Sequence, residues 1–293
     1  MRIVVTGGTG FTGERVVQQV IARGILPTVI ARSSASTAAL RSMGARIVHA
    51  DLDQPQTLHA AFAGHDTLLF VASMGFGQIP SVVAEACATG IKRAVFVSTT
   101  AVLTRLPVRS KPIRAAAEQC VRESNLEWTV IRPTMIYGSY RDRNMCRLLR
   151  HLSRWRIAPL PGHGMALQQP VHVDDVAKTI VAAALNPRAI GKSYNISGAH
   201  PMSLRQLIEC AAAEVGVRAL FLPLPAAAVE RILSLLERTG LRLPVRSEQL
   251  ARLNEDKAFD HSDAIRDLGV VPRAFQEGIR QEAIELGLAR ALR

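Results

Sequence analysis

From Arg2 to about Arg132 short apolar runs alternate with stretches of helical periodicity. "RIVVT", "PTVIA", "RIVHA", "TLLFVAS", "AVFVSTT" and "WTVIRPT" are nearly all apolar, the pattern of strands buried on both faces. Between them "GERVVQQVIARG" and "PSVVAEACATG" have helical spacing and end at glycine. This alternation predicts an α/β fold, a Rossmann-like doubly wound parallel sheet. Beyond Tyr137 the rhythm changes. A basic helical stretch from Arg141 to Arg156 is followed by the loop "APLPGHG", then by "PVHVDDVAKTIVAAAL" and "KSYNISG", read as a further helix and strand. A mostly helical segment runs from Met202 to the end. The expected division is a dinucleotide-binding domain over 1–198, with 141–169 an excursion toward the substrate, and a smaller helical substrate lobe over 199–293.

At 293 residues and 48% hydrophobic content the chain can bury a full core. The longest apolar stretch, Ala219 to Val229, holds two prolines and is too short to cross a bilayer; it reads as a strand end and a helix start. The opening "RIVVT" lacks the features of a secretory signal, and Cys87, Cys120, Cys146 and Cys210 show no C-x-x-C pair. Buried thiols in a cytoplasmic protein are expected, without disulfides or zinc. The net charge of +12 favours anionic partners. Few aromatic residues interleave the charges, so nucleic acid is not expected.

"VVTGGTGFTG" places Gly7, Gly10 and Gly13 between the first strand and the first helix. Such glycines permit a tight turn, close approach of backbone to a pyrophosphate, and close helix-on-strand packing, while the helix N-terminus offers unpaired N–H groups. Dinucleotide binding is the expectation, with Thr6, Phe11 and Thr12 completing the loop. The second strand ends at Arg32, Ser33 and Ser34, where an NAD-preferring protein usually offers a carboxylate. A guanidinium flanked by hydroxyls suits a 2′-phosphate, so NADP is favoured over NAD. Asp51, followed by Leu52, is placed either to meet the adenine or to cap a helix.

The ordered set of Thr6–Gly13, Asp51-Leu52, "VFVSTTAV", "IRPTMIYG" (Ile131–Gly138), "VHVDDVA" (Val171–Ala177), "YNISG" and "FDHSDAIRDLGVVPRAFQEGI" resembles the extended and atypical branches of the short-chain dehydrogenase/reductase superfamily, the NAD(P)-dependent epimerase/dehydratase type. The resemblance runs nearly end to end. It implies that Ala72, Ser73, Ser98 and Pro133 also border the cofactor. Members that turn over use a Ser/Thr after the fifth strand and a Tyr-x-x-x-Lys on the next helix. Thr100 matches the first, but aligning on Glu118 puts Ser110 at the tyrosine and Arg114 at the lysine.

Serine cannot replace a phenol as acid or base near neutrality, and a guanidinium does not shuttle protons. Loss of a general acid costs a factor of about 10² to 10⁴. Pro112 predicts that the helix begins near that residue, leaving Ser110 outside it. Arg114 then has two partners to choose from, Glu118 or the cofactor; Lys111 is a further cation within reach of the ribose. Tyr137 is the best substitute proton donor among three tyrosines, with a packing role as its alternative.

On the substrate side, "RDRNMCRLLRHLSRWR" alternates arginines with Met145, Leu148, Leu149, Leu152 and Trp155 at helical spacing. The resemblance places this helix over a nucleotide-sugar cleft, where Arg143 or Arg147 would meet a diphosphate and His163 would line the same space. An acidic membrane surface, a protein partner or a simple solvated face are its alternatives. His172, Asp174 and Asp175 read as a helix-capping junction rather than a metal site. Two functions stand side by side: an NADP-dependent epimerase/dehydratase-type oxidoreductase acting on a nucleotide sugar or similar hydroxyl/carbonyl compound, and a cofactor-binding redox sensor or accessory scaffold without turnover.

Overall fold

A computed structural model describes residues 1–225, 231 and 251–289. The central sheet is wholly parallel and contains β1 (Ile3–Thr6), β2 (Thr28–Ala31), β3 (Arg46–His49), β4 (Thr67–Phe70), β5 (Arg93–Val97), β6 (Glu127–Pro133) and β11 (Lys192–Ile196). Its order is β11-β6-β5-β4-β1-β2-β3. The chain therefore winds outward from β1 to β3 and returns to β4 on the other side of β1. That reversal opens a crevice at the carboxyl ends of β1 and β4, the place where open α/β sheets take ligands.

Alternation along each strand builds two cores. Ile3, Val5, Leu69 and Val95 face α1 (Phe11–Ile21) and α7 (Val173–Leu185), meeting Val16, Val20, Val176 and Ile180. Val4, Leu68, Phe70 and Phe96 face α3 (Pro55–Phe62), α4 (Ile79–Ala88) and α5 (Ser110–Arg122), meeting Leu58, Phe62, Val82 and Val121. β3 departs from the expected double burial. Its outer residues Arg46 and His49 are exposed because it is the sheet edge, beside the short α2 (Ala38–Ser42).

A third core joins the excursion to the C-terminal segments. β7 (Ile136–Tyr137), α6 (Met145–Trp155), β8 (Ile157–Pro161), α8 (Leu204–Glu214) and α10 (Phe275–Glu285) pack around Tyr137, Leu149, Leu152, Leu207, Ala211 and Ile279. Small pairs support them: β7 with β10 (Val171–His172), β8 with β13 (Leu220–Leu224), and β9 (Leu167–Gln168) with β12 (Met202–Ser203). Ser203 and Gln206 close a reciprocal capping box on α8. The strand expected within Ala219–Val229 is β13, while the helix start expected after it lies outside the described residues. α6 buries Met145, Cys146, Leu149 and Leu152, but Trp155 is 58% exposed, beneath the Arg154 guanidinium.

The boundary expected at 198/199 is crossed by α9 (Ser262–Leu268), whose Ala264 and Leu268 belong to the large-sheet core. Asp267 fixes it there, accepting from Lys192 Nζ at 2.8 Å and the Tyr194 hydroxyl at 2.9 Å. The closing segment is pinned again by Arg273, which donates to both oxygens of Asp175, Nε to Oδ2 at 3.0 Å and Nη2 to Oδ1 at 2.9 Å. The cap of α7 is His172 rather than an aspartate: Nδ1 accepts from the Asp174 N–H, and Asp175 is committed to Arg273. Four free thiols are present, of which Cys146 is buried; Cys87, expected inside, is exposed.

Candidate functional site

The glycine loop runs from the end of β1 into α1. Gly7 has φ +70°, and a Cβ there would stand 2.6 Å from the Ala72 N at the end of β4. A Cβ on Gly13 would come within 2.0 Å of the Gly7 carbonyl oxygen. Gly8, not singled out by the sequence pattern, is tight for another reason: its Cβ would meet Val29 Cγ1 at 2.5 Å. Gly10 is the N-cap of α1, and no side chain caps the helix. The first-turn N–H groups of Phe11, Thr12 and Gly13 therefore remain available to an anion. These residues fit a dinucleotide pyrophosphate.

Arg32 and Ser33 are exposed just beyond β2, and Arg32 has no carboxylate partner among the described residues. Beyond β3, Asp51 folds on its own loop, with Oδ1 accepting from the Asp53 N–H at 3.1 Å; it does not cap α3, whose N-cap is Gln54. Leu52 packs against the core beside it.

Past the loop, a cleft of about 290 Å³ opens between the ends of β4, β5 and β6 and the start of α5. Of the expected residues Thr12, Ala72, Ser73, Ser98, Arg114 and Pro133 line it. Thr6 lies beneath, 1% exposed. The lining also includes Thr99, Thr134 and Arg252, which sequence reasoning did not single out. No motif marks Arg252. It arrives because Glu255 accepts from the Thr104 hydroxyl at 2.6 Å and the Arg105 N–H at 2.9 Å, docking the 251–257 segment beside the cleft.

Helix α5 begins at Ser110, two residues before Pro112. A first-turn residue needs no intrahelical acceptor for its N–H, so proline at the third position costs no hydrogen bond. Ser110 is thus inside the helix, and its Oγ accepts from Arg114 Nη1 at 2.7 Å. Glu118 is not a partner of Arg114. It accepts from Ser98 Oγ at 2.6 Å, Arg122 Nη2 at 2.6 Å and Arg132 Nη2 at 2.5 Å. Burial alone would raise its pKa; hydrogen bonds from Arg132 and Ser98 and the charges of Arg132 and Arg122 hold it below the usual carboxylate range. Lys111 is also engaged elsewhere, donating to the Thr104 carbonyl at 2.7 Å.

Both expected catalytic side chains turn away from the cleft. Thr100 is 6% exposed and directs its hydroxyl at the Pro133 carbonyl at 3.4 Å, leaving its neighbour Thr99 on the lining. Tyr137 is 1% exposed, packed edge-on against His172 and beside Phe275, with its hydroxyl donating to the Phe275 carbonyl at 3.3 Å. Burial pushes that hydroxyl far above the ordinary tyrosine range. Tyr137 thus sits in the packing position and off the cleft lining.

The substrate-side residues are dispersed as well. Arg143 and Arg147 are exposed and absent from the cleft lining. His163, in a left-handed turn (φ 62°), lines a separate cavity with Leu160, Arg205 and Phe221. It is Arg141 that reaches the loop, donating to the Thr9 carbonyl at 2.8 Å and to Glu14 at 2.6 Å.

The model of a family described as NAD(P)H-binding matches residues 7–187, from the glycine loop to the end of α7. The chain belongs to the NAD(P)H-binding family. Over its full length this family member is similar to a 2-alkyl-3-oxoalkanoate reductase of Stenotrophomonas maltophilia, at 29% identity covering 96% of this chain and 98% of the relative. It also resembles the photosystem II assembly factor Ycf39 of Synechocystis, at 24% identity over 71% of this chain and 66% of that one. A nucleoside-diphosphate-sugar epimerase from Pseudomonas aeruginosa shares the fold, with a TM-score of 0.81 at 17% identity, covering 98% and 97% of the two chains. The epimerase/dehydratase-type resemblance thus extends to the fold. Among the described residues no helix is long and apolar enough to cross a membrane.

Proposed function

We propose that this NAD(P)H-binding protein is an NADP-dependent oxidoreductase that interconverts a carbonyl and a hydroxyl on a small organic substrate. The observation that carries the reading is the cleft itself. It continues from Thr12 past Ser73 and Ser98 to a half-buried end holding Thr99, Thr134, Arg114 and Arg252. A bound nicotinamide would supply or accept the hydride there. Thr12 and the α1 N-terminus would hold the pyrophosphate, and Arg32 with Ser33 the 2′-phosphate. With Tyr137 sealed away and Ser110 a poor acid, the proton on the substrate oxygen comes from water or from the substrate. The reductase named among its relatives supports an oxo compound; a nucleotide sugar is the other substrate class. The free thiols fit a cytoplasmic setting.

The second reading, a cofactor-holding accessory protein, rests on the Ser110 and Arg114 pair standing where turnover needs a phenol and an amine. The exposed arginines of α6 would then face an acidic membrane surface or a protein partner. One experiment separates the readings: titration with NADPH and NADH by nicotinamide fluorescence, then addition of 3-oxo acids and nucleotide sugars while following 340 nm absorbance. NADPH binding with oxidation by one of these substrates is the expected result. Tight binding with no oxidation by any of them supports the accessory role, and absence of binding overturns both.

A further inference from the structure

Two guanidinium groups share the cleft, and among the described residues neither has a carboxylate partner. Arg114 has one hydrogen-bonded neighbour, the neutral Ser110 hydroxyl. Arg252 uses its backbone carbonyl, not its guanidinium, to receive Lys257 Nζ. Among the described residues no Asp or Glu lines the cleft. Burial, and then repulsion from Arg252, lowers the Arg114 pKa, while burial followed by the same Arg252 charge brings Lys257 down to about 8. Among the described residues two like charges are therefore brought together in a half-buried space with no carboxylate paired to either guanidinium, an arrangement that a protein keeps where an anion completes it.

The position is specific. Arg114 lies over Gly75, where a side chain would come within 3.2 Å of its Nε, so the glycine leaves the guanidinium room beside the β4 end. The remaining lining contributes the apolar side chains of Met74, Val97 and Ile136. We infer that Arg114 and Arg252 together form a recognition site for the carboxylate of an organic acid substrate whose short apolar chain lies along these side chains. The inference rests on the oxidoreductase reading and supplies its substrate class. Charge-assisted pairing to guanidinium is the strong form of carboxylate recognition. The competing source of an anion here is phosphate, either inorganic or from the cofactor.

The test uses hexanoate, its uncharged amide hexanamide, and inorganic phosphate as calorimetric probes of the NADPH-saturated protein. Hexanoate is expected to bind at least tenfold more tightly than either alternative. Arg252→Ala and Arg252→Gln are expected to weaken hexanoate by about ten- to a hundredfold while leaving the NADPH dissociation constant within twofold. Because the Arg252 guanidinium supports no described contact, both variants should fold as the parent does. Equal binding of acid and amide overturns the proposal, as does preference for phosphate, no binding of any probe, or loss of NADPH affinity in the Arg252 variants. If the parent does not take up NADPH, the oxidoreductase reading fails separately, and the same three probes titrated into the protein alone decide the arginine pair.

Discussion

Glu282 offers a sharp test of the way the two lobes are joined. It is fully buried on α10, with Oε2 accepting from the Gly138 N–H at 2.9 Å and Oε1 without a partner. Across from it Asp142 is also buried: Oδ1 accepts from the N–H groups of Asn144 and Cys146, and Oδ2 is left over. A proton on Glu282 shared with Asp142 accounts for both orphan oxygens. Burial, followed by the Asp142 contact, pushes the Glu282 pKa up to about 10. The unfolded value is about 4.3, so the shift is upward, and the group's contribution is fully favourable below that pH and is lost as pH rises toward the folded value. Between the two values the loss is about 1.4 kcal/mol per pH unit, on the order of 4 kcal/mol by pH 7.

Glu282→Gln keeps the shape, the acceptor for Gly138 and a donor for Asp142, and removes the ionisation. Its second amide hydrogen lacks a partner, which costs about 1–3 kcal/mol at every pH. The variant is therefore expected to be slightly less stable than the parent at pH 5 and more stable at pH 8, the two crossing in between. Urea unfolding followed by circular dichroism at pH 5, 6, 7 and 8 measures this directly. Parallel stability curves would refute the shared proton.

Gly7→Ala is expected to abolish NADPH binding while leaving a folded protein, since the new methyl collides with the Ala72 backbone in a left-handed turn; fluorescence titration with circular dichroism as the folding control checks it. Arg32→Ala should weaken NADPH by about ten- to a hundredfold and NADH hardly at all, read from paired titrations. Asp175→Asn leaves Arg273 half-paired beside α7 and is expected to cost about 3 kcal/mol in urea unfolding. The double variant Ser110→Tyr with Arg114→Lys places a phenol and an amine at the two α5 positions and should raise kcat on an accepted oxo substrate by about 10² while raising its KM through loss of the Arg114 guanidinium.

The glycine loop and all seven strands of the large sheet were legible because their signals are local: a turn that only glycine makes, and runs with the period of a buried strand. What misled was carrying a family position over to a side chain whose direction only the fold sets. Thr99 and Thr100 are adjacent, yet extended backbone at Thr99 sends them opposite ways. Tyr137 closes the "IRPTMIY" stretch, but α10 comes down on it, with Gly278 so close that a Cβ would lie 2.2 Å from its hydroxyl. Arg252 was illegible because its place depends on Glu255 finding Thr104, a pairing 151 residues apart in the chain. Glu118 has three partners, Ser98, Arg122 and Arg132, and only the folded geometry shows that Arg114 is not one of them.

Arg141 belongs to the excursion but spends its guanidinium on Thr9 and Glu14, at the mouth of the glycine loop. The small lobe is consequently latched to the element that would grip the pyrophosphate. A phosphate at the α1 N-terminus would meet the same stretch of backbone that Arg141 holds. Any coupling of dinucleotide affinity to the seating of the excursion through this contact is reciprocal, each favouring the other by the same free energy.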